Sequence, residues 1–120
     1  MNIEIQVDKK YTESKIIIYT NQVTEEITNI FNSISSINQK SLNAYKNEKL
    51  YILKNRLYEL ESLLDKKTFI RISNSEIVNF NKIENIDFKI LGTLVINFKS
   101  GNKSYASRRY IQKIKEFLGL

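Results

Sequence analysis

Cysteine and histidine are both absent from this chain, as are proline and tryptophan. Without the first two there are no thiolate or imidazole metal ligands. Cysteine nucleophiles, Ser-His-Asp triads and histidine acid–base chemistry fall with them. Paired carboxylates are the formal route to catalysis that is left. No disulfide framework can form, as is usual for a cytoplasmic protein. The N-terminus, MNIEIQVDKK, has acids where a signal peptide needs an apolar core. Apolar runs reach only the length of Ile16–Tyr19, far below a membrane span. These absences predict a soluble, cytoplasmic, non-enzymatic protein with no cofactor, no metal and no small-molecule substrate.

What is present is charge of one sign, unevenly placed. The 120 residues fit one ordinary domain, or one domain with an appendage, and carry a formal net charge of +6. Residues 1–40 hold four basic and five acidic side chains, whereas residues 41–120 hold fifteen basic and eight acidic. The excess therefore belongs to the C-terminal two-thirds, which points to nucleic acid or an anionic membrane as partner.

Period-two alternation in NIEIQVD, with Ile3, Ile5 and Val7 on one face, predicts a half-buried strand. KIIIY, 15–19, predicts a strand covered on both faces. Val23, Ile27, Ile30, Phe31 and Ile34 recur at helical spacing, with Glu25 and Glu26 where a helix dipole favours acids. The polar stretch SSINQKS, 35–41, is the expected boundary between a 1–40 segment and a 41–120 domain. NEKLYIL predicts a strand, followed by a helix with Asn55 as N-cap, with Leu57, Leu60 and Leu64 on one face and Lys66 and Lys67 at its C-terminal end. TFIRI predicts a strand. SNSEIVNFNKIENI is rich in Ser and Asn and predicts irregular structure. DFKIL and the hairpin GTLVINFKSGNKSYAS predict strands, with Leu94, Ile96 and Phe98 sharing a face. A last helix begins at the N-cap Ser107 and ends at Gly119; Tyr110, Ile111, Ile114, Phe117 and Leu118 form its apolar arc.

Two places carry candidate chemistry. Arg108, Arg109, Lys113 and Lys115, with Lys99 and Lys103 on the neighbouring hairpin, form a cationic patch suited to phosphates. An arginine held at a strand–helix junction can meet a guanine edge with both arms of its fork. On charge alone the pattern reads first as a solvated amphipathic helix, as most charge runs do. In Arg71-Ile72-Ser73-Asn74-Ser75 a strand ends in short polar side chains; Asn74 can pair with an adenine edge, or can serve a turn. Glu59, Glu61, Glu76, Glu84 and Asp87 have no spacing that pairs them for catalysis and read as surface.

The stretch RLYELESLLDKKTFIRISNSEIVNFNKIENI, followed by a hairpin and YASRRYIQKIKEFLG, closely resembles the LytTR DNA-binding domain over roughly residues 42–120. The resemblance implies an α+β fold: a small N-terminal strand-strand-helix segment, then a mostly-β domain ending in an amphipathic helix. It implies a sequence-specific transcriptional regulator that puts loops, not a recognition helix, into successive major grooves of double-stranded DNA. Ser73, Asn74 and Arg109 fall at the family's base-contacting positions. Arg71, Lys99, Lys103, Ser107, Arg108 and Lys113 are assigned to phosphates, Ser107 through its backbone amide at a helix start. By the same resemblance, residues 1–40 match the regulatory or dimerisation segment of stand-alone regulators, which bind repeated half-sites as homodimers and are often held by a membrane-embedded inhibitor protein.

One departure stands out. In the family, several strands and a further DNA-contacting loop separate the strand here written KLYIL from the RLYELE helix, and this chain runs almost directly from Leu53 to Arg56. The expected consequence is a smaller base-reading surface. It leaves room for a second reading: a truncated LytTR scaffold that acts as a protein-interaction module, antagonising or pairing with a full-length regulator. A membrane-surface role is disfavoured, since the apolar arc of the last helix is needed for the core.

Overall fold

The computed structural model describes residues 3–7, 16–39, 42–88 and 92–120. Among them are ten strands and three helices: β1 (Ile3–Val7), β2 (Ile16–Thr20), α1 (Glu25–Asn32), β3 (Ser36–Asn38), β4 (Asn43–Lys46), β5 (Lys49–Leu53), α2 (Leu57–Leu63), β6 (Phe69–Ser73), β7 (Glu76–Asn79), β8 (Ile83–Phe88), β9 (Leu94–Phe98), β10 (Lys103–Ala106) and α3 (Arg108–Leu118). The fold is α+β and mostly strand. The expected places of Lys15, of 40–41 and of 89–91 in their elements, and the side chains of Ile3, Ile5 and Val7, lie outside the described residues.

The strands form three sheets ordered β1-β2-β5-β4, β3-β7-β6 and β10-β9-β8. The β3-β7-β6 sheet lies in the middle. Its residues alternate between two cores, so apolar side chains stand on both of its faces. Phe69 and Ile77 join Ile27, Phe31, Ile37, Leu57 and Leu60 in the first core. Ile70, Ile72 and Val78 join Leu94, Ile96, Phe98 and Ile114 in the second. Helix α3 thus docks its apolar arc on β6, and its N-terminus stands beside the end of that strand.

Several expectations are corrected. The SSINQKS stretch is not a mere turn: β3 pairs antiparallel with β7, Asn38 opposite Glu76. A second ladder, parallel β2–β5, also crosses the boundary expected near residue 40. Strand β2 is not covered on both faces; Ile17 is 1% exposed but Ile16 is 36% exposed. The Ser/Asn-rich stretch from Glu76 is regular after all, forming β7, a 3-10 turn at Phe80–Lys82 and β8. Burial on both faces of β7, and the ladder to β9 for the largely exposed β8, outweigh the local hydrogen-bonding preference of Ser and Asn there.

Asn55 is not the cap of α2. Its Nδ2 donates to the Asn21 carbonyl at 3.1 Å, and the cap position is Arg56. The orphan amides of the helix start are met instead by Gln39 Oε1, which accepts from the Leu57 N–H at 3.1 Å, and by Glu59 Oε1, which accepts from the Arg56 N–H at 2.8 Å. The helix ends before Lys66 and Lys67, which lie in the following turn.

Asn79 holds the carbonyls at the end of α1. Asn79 is 1% exposed, and its Nδ2 donates to the carbonyls of Asn32 and Ile34, each at 3.1 Å. Its Oδ1 accepts from the Asn81 N–H at 3.0 Å. Replacing Asn79 with Ala orphans those carbonyls, and unmet buried groups cost about 1–3 kcal/mol. Urea unfolding of Asn79→Ala is expected to show a lower midpoint by that amount, with an unchanged slope.

Candidate nucleic-acid interface

Two loops meet at one end of the middle sheet. The β6–β7 turn carries Asn74 and Ser75, both exposed. The β10–α3 junction carries Ser107, Arg108 and Arg109. The Ser107 N–H donates to the Ile72 carbonyl at 2.9 Å, locking the junction to the end of β6. The Tyr110 hydroxyl donates to Asn74 Oδ1 at 2.9 Å, tying the two loops side chain to side chain. Asn74 keeps both amide hydrogens and one oxygen lone pair for a ligand.

Beneath the loops lies a charge relay of fixed positions. Arg71 Nε donates to the Ser73 carbonyl and Nη2 to the Asn74 carbonyl, each at 2.9 Å. Its Nη1 meets Glu61 Oε1 at 3.3 Å, and the other Glu61 oxygen is paired with Lys113. The guanidinium carbon stands 5.8 Å from the centroid of the Tyr110 ring. One arginine therefore holds the backbone of the Asn74 loop, the side chain of α2's Glu61 and the face of α3's Tyr110. Burial alone would raise the Glu61 carboxyl, but the Lys113 and Arg71 partners together hold it below the usual glutamate value.

That direction sets a sign. A carboxyl lowered in the folded state stabilises above its unfolded value and loses the contribution as pH falls through the folded one. Urea unfolding is expected to show extra loss of stability for the native chain as pH drops below 4.5, the ordinary glutamate value. Glu61→Gln should be less stable at neutral pH and should flatten that acid slope.

The structure sets the turn that carries Ser73 and Asn74 beside the β10–α3 junction that carries Arg109. Among the described residues the Arg109 side chain is exposed and makes no hydrogen bond or ion pair. Arg108 is exposed, with its Nε 3.9 Å from where a Cβ on Gly92 would sit; Gly92 itself has φ +77°. Lys103 lines an open groove beside Ser73 and Ser75. Lys99 is not part of the cluster: it lies with Phe80 and Leu118 at the far end of α3. Lys113 is engaged by Glu61, and Arg71 is inward-facing, its side chain 12% exposed. The Ser107 amide expected to face phosphate is spent on Ile72, and its hydroxyl is buried without a partner.

Tyr110 and Glu61 are the residues that sequence reasoning missed. Tyr110 reads as part of the apolar arc, which its ring is, while its hydroxyl bonds the Asn74 side chain. Glu61 lies 10 residues from Arg71 and 52 from Lys113, so no local pattern could signal it.

No described helix is long and apolar enough to cross a membrane. The described helices are also separated from one another by strands, so no two form a helix-turn-helix pair. The chain is similar, at 29% identity over all of its length and 99% of theirs, to uncharacterized HTH-type transcriptional regulators of Staphylococcus aureus strains MSSA476 and MW2. Those alignments run over 147 positions against 120 residues here, so the relatives carry residues without a counterpart in this chain. In structure it is similar to the LytTr DNA-binding domain of a Bacillus cereus response regulator, with TM-score 0.64 and 28% identity, over 75% of this chain and 84% of that one. A family model described as the LytTr DNA-binding domain matches residues 21–119, and the chain accordingly belongs to that family.

Proposed function

We propose that the protein is a transcriptional regulator that reads duplex DNA through the β6–β7 turn and the β10–α3 junction. The observation that carries this reading is the Tyr110–Asn74 hydrogen bond. It ties the Asn74 turn to the first turn of α3, beside the exposed and unpaired Arg109. Asn74 offers the donor–acceptor pattern of an adenine partner and Arg109 that of a guanine partner. Lys103 and Arg108 supply phosphate contacts that orient the chain without reading sequence. Arg71 acts as a positioning residue, holding the two carbonyls of the Asn74 turn. A pair of chains on repeated half-sites would double this small reading surface.

Binding by counterion release plus a few base contacts predicts a log–log salt slope of about −0.9 per phosphate neutralised. Selection of bound duplexes from a randomised pool tests the reading: a recovered sequence motif supports it. A pool that stays random, bound equally and with steep salt dependence, leaves only a basic surface. The shortfall against the longer relatives favours, in that case, the interaction module that pairs with a full-length regulator.

A further inference from the structure

We infer that β3 supplies a second line of contact to DNA, with Ser36 and Asn38 against the sugar–phosphate backbone beside the bases met by Asn74 and Arg109. This rests on the DNA-reading function proposed above. The alternation of β3 sets the geometry: Ile37 is 3% exposed in the first core, so Ser36 and Asn38 take the opposite face. The strand is clamped at both ends. The Gln39 N–H donates to the Ser75 carbonyl and the Asn79 N–H to the Ser35 carbonyl, each at 2.8 Å.

That face opens onto a groove of about 690 Å³ whose walls include Ser35, Ser36, Asn38, Ser73, Ser75 and Lys103. Short hydroxyl and amide side chains with one cation are what phosphate and sugar oxygens accept from. Glu76 is the carboxylate on the wall, and its Oε2 already accepts from Ser104 Oγ at 2.7 Å. Tyr105, 62% exposed beside Lys103, adds an apolar ring suited to deoxyribose. Continuity fixes the occupant: Ser73 and Ser75 flank Asn74, so a duplex seated on Asn74 has this groove next to it.

The absence of cysteine makes the test direct, because one introduced cysteine is a unique attachment point. An aryl azide is placed on Ser36→Cys, on Asn74→Cys and on Glu25→Cys, the last at the far end of α1 from β3. Each full-length protein, with circular dichroism matching the parent, is irradiated with a duplex recovered by selection. Cross-links from Ser36 and Asn74 but not Glu25 are expected. Cross-links from Asn74 alone overturn the β3 contact and leave the DNA-reading function standing. Cross-links from none, or equally from all three, overturn both. The double variant Ser36→Ala/Asn38→Ala should weaken selected and scrambled duplexes alike, by about three- to tenfold; unchanged binding would again overturn the contact.

Discussion

Arg109→Ala is expected to lower affinity for a selected duplex by roughly 5- to 150-fold, the span of a bidentate base contact worth about 1–3 kcal/mol. Affinity for scrambled DNA should fall only as far as one lost charge requires. The difference, not the absolute loss, is the signature. Arg109 is the second residue of a helix whose first turn contains no acid, and a cation there is disfavoured by the helix dipole by about 0.3–1 kcal/mol. A single base contact outweighs that cost. Competition binding against scrambled DNA measures it, and equal losses on both duplexes would remove Arg109 from base reading.

The second large effect is expected from Arg71→Met, which keeps the length and apolar stem but removes the fork. Three bonds disappear: to the Ser73 carbonyl, the Asn74 carbonyl and Glu61. With the side chain only 12% exposed, the loss should cost about 1–3 kcal/mol in urea unfolding. The Asn74 turn loses its backbone anchors, so preference for the selected duplex should drop by roughly tenfold, on the same scale as one such bond. The salt slope separates positioning from contact. If Arg71 acts through the turn, the slope is unchanged; a direct phosphate contact would reduce it by about 0.9. Arg71→Lys should not restore preference, because an ammonium cannot span the three acceptors.

These two residues also mark what could be read from the sequence and what could not. The apolar arc of helix α3 followed from 3.6-residue spacing and its end from Gly119, as β6 and the β9–β10 hairpin followed from strand patterning, whereas Ser107 stands at the cap position without a side-chain cap bond. The places of Asn74 just past a strand and of Arg109 in a first helical turn were legible because a strand end and a helix start are local features. What failed was what depends on distant partners. Asn55 looked like a cap until Asn21 claimed its amide and Gln39 supplied the helix instead. The residues after Asn74 looked irregular because Ser and Asn bond locally; two cores on either side of β7 impose the ladder. Strand β4 escaped notice because its return turn is Asn47-Glu48, with Asn47 at φ 56°, and carries no glycine. Strand β3 has three residues, too few for any period. Glu61 and the Tyr110 hydroxyl acquire their roles only when α2, β6 and α3 are assembled.

A surface that reads sequence differs from one that merely attracts phosphate in how it treats two duplexes of equal length. The measurement that tests sequence reading most directly is binding of the native chain to a selected duplex and to a scrambled duplex of equal length, across a salt series. Two steep lines separated at every salt concentration are expected, with the gap closing in Arg109→Ala. Two superimposed lines would contradict sequence reading.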